Sequence, residues 1–162
     1  MKIAIVICVE KGVLESQAKL LINSVEKFNS LNNISLIAFS PRKDFIPSAD
    51  TLGFFKNHNI IHITEDINQQ FLDYPIANKV LACEFIEINY PEFDSIIFID
   101  TDTVFINSLS AHLIHSKGHL YLRPVDNKGP GSTGENDEND LFWQNVYRLF
   151  GTDLPESNLV TT

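Results

Sequence analysis

The residues best suited to chemistry lie in one short segment, IIFIDTDTVF, from Ile96 to Phe105. Asp100 and Asp102 follow an apolar run, with Thr101 between them. In an extended chain, residues two apart project to the same side, which brings both carboxylates close enough to share one cation. Two ionised carboxylates held together repel, so their coexistence at neutral pH calls for a proton or a metal. Hard oxygen donors suit Mg²⁺ or Mn²⁺, ions that commonly bridge protein carboxylates to phosphate oxygens. The plain structural reading of the same residues is a solvated strand-to-loop turn that carries two acids.

The elements that must position this segment can be read from two alternating periodicities. KIAIVICV, Lys2 to Val9, is a continuous apolar run rich in β-branched residues, the pattern of a strand covered on both faces. Leu14, Ala18, Leu21, Val25 and Phe28 then recur at steps of three and four, a helical stripe ended by Asn32 and Asn33. Ile34 to Ser40 reads as a second strand. Ser48 caps a short helix to about Lys56, and Ile60 to Thr64 reads as a third strand. Pro75 suits the first turn of a helix that runs to about Ile88 and buries Ala77, Leu81, Phe85 and Ile88. SIIFID, Ser95 to Asp100, is the strongest buried-strand pattern in the chain. Strand and helix alternating in this way predict an α/β fold with a mainly parallel central sheet flanked by helices. Ligands of such sheets bind beyond the carboxyl ends of the strands, where Asp100 falls.

Beyond residue 105 the pattern weakens. His119 to Arg123 reads as a further strand, residues 126–140 as a mobile acidic loop, and Leu141 to Phe150 as a last helix stopped by Gly151. His112, His115 and His119 read as surface histidines, and Trp143 and Tyr147 as packing residues one turn apart. The whole, residues 1–162, is expected to form a single α/β domain.

Composition narrows the partners. The 162 residues are 44% hydrophobic and 20% charged, a globular mix. The formal net charge of -9 disfavours a general nucleic-acid binder, which needs surplus Lys and Arg to replace phosphate counterions. Cys8 and Cys83 are too few for a disulfide framework. The apolar run from Ile3 to Val9 is too short for a membrane span or a signal-peptide core. A cytoplasmic protein is the expectation.

The segment Pro75 to Leu109, PIANKVLACEFIEINYPEFDSIIFIDTDTVFINSL, resembles the core of the glycogenin-like retaining glycosyltransferases of GT-A fold. The shared pattern is a lysine-bearing helix, a hydrophobic strand, then Asp-x-Asp, and the likeness spans residues 1 to about 110. It implies a GT-A-like sandwich in which Asp100 and Asp102 bind Mn²⁺ (or Mg²⁺). Through that ion they would bind the diphosphate of a nucleotide sugar, with a UDP-sugar as the expected donor. Asp100 and Thr101 would also lie near the nucleotide. Lys79 matches the family's phosphate-contacting helix lysine; its structural alternative is a solvated lysine. By position, Cys8, Val9 and Glu10 would line the nucleobase pocket, and Asn78 would touch the nucleotide. The alternatives are a small buried residue for Cys8 and a polar surface residue for Asn78. The acceptor is unspecified, a homodimer is one candidate assembly, and retention is implied by the resemblance alone.

That family completes its metal site with a histidine far downstream and continues into an acceptor-binding half. Here the last histidine is His119, so the resemblance implies a chain shortened at its C-terminus, its third metal ligand unassigned. Two rivals remain. Asp100-Thr101-Asp102-Thr103-Val104 also satisfies the first motif of haloacid-dehalogenase-type phosphatases, with Asp100 as nucleophile, Asp102 as general acid/base and Mg²⁺ as cofactor. That motif normally sits on the first strand, whereas three strands precede it here. The other rival is a non-catalytic nucleotide-sugar-binding module.

Overall fold

The computed structural model describes residues 2–109 together with 144, 145, 148, 149 and 151. The chain divides into two compact units, Met1–Lys117 and Gly118–Thr162, each described by itself. Among its described residues the first holds four strands, β1 (Ile3–Cys8), β2 (Ile34–Phe39), β3 (Ile61–Ile63) and β4 (Ser95–Phe98). Its helices are α1 (Val13–Phe28), α2 (Ala49–Asn57) and α3 (Ala77–Asn89). All the pairings are parallel, in the order β3-β2-β1-β4. This all-parallel sheet with helices against it is consistent with a GT-A-like α/β fold, as the sequence predicts.

The core is built on the alternation of side chains along β1. Ile5, Ile7 and Val9 pack on one face with Ala18, Leu21, Ile22 and Val25 of α1 and Phe55 of α2. Ala4 and Val6 face the other side, against Ala82 and Ile86 of α3. The strand order places β4 on the opposite side of β1 from β2 and β3. The direction of winding therefore reverses between β1 and β4, and it is at such a switch point, beyond the carboxyl ends of the two strands, that open α/β sheets place their ligand crevice.

Two expectations need correction. The strand pattern from Ser95 to Asp100 pairs only to Phe98, with one further bond from the Ile99 N–H to the Val6 carbonyl at 3.0 Å. It is half-buried, because among the described residues β4 pairs with β1 alone. Helix α3 buries Asn78, Ala82 and Ile86, while Ile88 is exposed. It is thus turned by about one residue from the predicted stripe. Small Ala82 lets the helix approach the sheet, and Asn78 is drawn inward by polar partners. Pro75 lies just before the first helical residue, Ala77.

In the second unit Gln144, Asn145, Arg148 and Leu149 have helical backbone. Gly151, at φ +66°, donates its N–H to the Arg148 carbonyl at 3.1 Å. A left-handed glycine in this place matches the expected helix stop. The predicted 119–123 strand, the 126–140 loop, the three histidines, Trp143 and Tyr147 lie outside the described residues. No helix among the described residues is long and apolar enough to cross a membrane.

Glu15, in the first turn of α1, ties the loop after β1 to the start of α2. Its carboxylate accepts the N–H groups of Gly12 and Ser48, both at 2.9 Å, and the hydroxyls of Ser48 and Thr51. Burial alone would raise its pKa, but these donors outweigh it and bring the group from 4.5 to about 2. A depressed folded pKa stabilises the protein above the unfolded value, and that stability is lost as pH falls from 4.5 towards 2. Glu15→Gln should therefore lose about 1–3 kcal/mol at pH 7. Urea unfolding should show the gap to wild type narrowing at pH 3; an equal gap at both pH values contradicts this account.

Candidate functional site

Three strand ends and the start of α3 meet at the crevice. Past β1, Glu10 is only 5% exposed, and its carboxylate is bound by Arg42, which lies just beyond β2. The guanidinium Nε lies 2.8 Å from Oε1, and Nη2 bonds Oε2, a two-point charge-assisted pair. Hydrogen bonding to Glu10 pushes the Arg42 pKa above its usual value. The third guanidinium nitrogen donates to the Leu72 carbonyl at 2.7 Å, and the group lies 4.1 Å over the Phe45 ring.

The network continues into α3. Asn78 donates to Glu10 Oε1 at 3.2 Å and accepts from the Asn68 amide at 2.6 Å. Asn68, fully buried, clamps Phe71 through both backbone groups, at 3.0 and 3.2 Å. Every described buried side-chain nitrogen and oxygen has a partner. Asn78 is thus not the polar surface residue of the structural alternative; it is a buried joint between β1 and α3.

Beside this frame sit the acids. Asp100 through Thr103 form a turn closed by the Thr103 N–H and the Asp100 carbonyl at 3.1 Å, not the extended segment expected from sequence. Exposure nevertheless alternates: Asp100 and Asp102 are exposed, whereas Thr101 is 6% exposed and donates its hydroxyl to Gln17 at 3.1 Å. The Lys79 ammonium lies 2.8 Å from both Asp100 oxygens. It is therefore paired at the crevice, and about half exposed, where such a contact is worth at most about 1 kcal/mol. Cys8 is half-buried, its Sγ 3.5 Å from the Asn78 carbonyl. Burial, then the proximity of Cys83, Glu10 and Asp100, pushes its thiol up to about 12, against a smaller opposing effect of Lys79.

The predicted residues are accordingly gathered at one end of the sheet: Cys8 at the end of β1 with Val9 and Glu10 just past it, Asn78 and Lys79 from α3, and Asp100, Thr101 and Asp102 after β4. Sequence reasoning missed Arg42, Asn68 and Gln17. Arg42 carried a usable signal, a basic residue at the carboxyl end of a predicted strand; Asn68 and Gln17 carried none. No group of three His, Cys, Asp or Glu fit to hold a metal occurs among the described residues. Two exposed carboxylates do suit a hard cation whose other positions are filled by phosphate oxygens and water.

Fold and site together define a mixed α/β protein with a polar crevice at its switch point, consistent with a GT-A-like architecture. Residues 5–162 match the family model described as Rhodobacterales glycosyltransferase domain, and the chain belongs to that glycosyltransferase family. Among curated proteins, no significant match is found.

Removing one member of the buried pair leaves the other charge without compensation. Arg42→Met should cost about 3–5 kcal/mol in urea unfolding, and adding Glu10→Leu should recover part of that loss. A double variant less stable than Arg42→Met would contradict the network.

Proposed function

We propose that the chain is a metal-dependent glycosyltransferase that uses a nucleoside-diphosphate sugar, a UDP-sugar being the simplest choice, and transfers the sugar to an acceptor still to be identified. One observation carries this reading: in a glycosyltransferase-family chain, the Lys79 ammonium meets the exposed Asp100 carboxylate at the β1/β4 switch point, with exposed Asp102 two residues further on. In this reading the nucleoside lies beside half-buried Cys8, over the closed layer to which Val9, Glu10 and Asn78 belong, with the diphosphate towards the acid turn. Asp100 and Asp102 would hold Mn²⁺ or Mg²⁺, and Thr101 would line the nucleotide through its backbone. A cation held there supplies neutralisation of the negative charge that develops on the leaving diphosphate. Lys79 contributes a second, fixed positive charge to the same oxygens. Its pairing with Asp100 keeps the ammonium at the crevice before the donor arrives.

The phosphatase alternative lacks such support. The family points to sugar transfer, and the Asp-x-Asp segment comes after the fourth strand in chain order.

Asp100→Ala and Asp102→Ala should each abolish Mn²⁺-dependent UDP binding in calorimetry while the melting temperature stays within about 2 °C, since both side chains are exposed. UDP affinity that is unchanged with Mn²⁺ present overturns the assignment.

A further inference from the structure

We infer that α1 positions the acid turn, with the side chains of Gln17 and Thr101 acting as positioning groups on the carboxylates of Asp100 and Asp102 and not on the ligand. The inference rests on the reading of those carboxylates as a metal site. Pairing of β4 to β1 ends at Ile99, so the sheet alone does not fix the turn beyond it. The chain from Thr101 to Leu109 is tied instead along α1 at three points, four residues apart. The Thr101 hydroxyl donates to Gln17 Oε1 at 3.1 Å, the Phe105 N–H to Ser24 Oγ at 3.0 Å, and the Leu109 N–H to Asn29 Oδ1 at 2.7 Å.

The helix-side groups all act as acceptors, and the reason is local. Ser24 spends its hydroxyl proton on the Leu21 carbonyl at 2.7 Å, and Asn29 spends an amide proton on the Val25 carbonyl at 3.1 Å. Their oxygens then face the segment's donors. Phe105 and Leu109 pack against the core cluster that contains α1, so the backbone ties and the apolar contacts act together. Only the first tie reaches the turn itself, and it does so through Thr101, whose side chain points to α1 while its neighbours are exposed. Loss of that bond lets the turn rotate, which disturbs the placement of both carboxylates towards a cation.

The test is an electron paramagnetic resonance titration with Mn²⁺ alone on the full chain, alongside thermal unfolding. Thr101→Val keeps the side-chain shape and removes the hydroxyl; it should weaken Mn²⁺ binding by about 3- to 10-fold, the scale of one hydrogen bond. Thr101→Ser should stay within about twofold of wild type. Gln17→Met, which removes the acceptor from the other side, should match Thr101→Val, and the double variant should be no weaker than either single one. Should Thr101→Val not fold, Gln17→Met and the serine variant carry the same comparison. Lower melting temperatures with unchanged Mn²⁺ affinity would show a merely structural tie and overturn the inference. Wild-type protein that binds no Mn²⁺ by itself overturns this inference, whereas the metal reading falls only if Mn²⁺ also fails to bind with UDP present.

Discussion

Glu10 and Arg42 lie against each other in a position nearly closed to solvent, where β1 and β2 leave the sheet. An ion pair so placed is tolerated only when its remaining hydrogen-bonding capacity is met, because the charges have given up water. The protein meets that demand with Asn78 from α3 and with the Leu72 carbonyl. Those choices propagate: Asn78 recruits Asn68, and Asn68 fixes the backbone at Phe71. The path of the chain from 68 to the first turn of α3 is thereby dictated by one buried pair. Lys79 is the next residue after Asn78 on the same helix, so its place at the crevice is inherited from the same constraint.

Much of the frame is legible in the sequence because it is local. β1 and β2 are visible as short, largely apolar runs, and α2 as a segment opened by Ser48, whose side chain accepts the Thr51 N–H. The features that escape a sequence reading depend on partners distant along the chain. The apolar stripe of α3 reads one residue out because periodicity ranks Asn78 as a surface residue, whereas a partner 68 positions away makes it a buried one. The Asp-x-Asp segment does lie after a strand, but it is a turn and not extended; the hydroxyl of Thr101 answers to a helix 84 positions earlier. β4 reads as fully buried because its residues are apolar, yet its exposure depends on what pairs beside it.

A division of labour separates the two layers at the crevice. The inner layer, Glu10, Arg42, Asn68 and Asn78, is closed to water and saturated with internal bonds. The outer layer, Asp100, Asp102 and Lys79, keeps access to solvent. Rigid supports beneath exposed charged groups are what ligand recognition requires, since groups that must change partners cannot also hold the fold together. The chain belongs to a glycosyltransferase family, and at this end of the sheet the charged groups open to solvent are those of the outer layer.

The half-buried Cys8 bears on how reactive sulfur is at this end of the sheet. A thiol pushed up to about 12 stays protonated at neutral pH. Alkylating and oxidising reagents attack through the thiolate anion, so burial that holds the proton on also holds these reagents off. The end of β1 therefore behaves as an apolar wall, with its sulfur close to the acids and chemically quiet beside them.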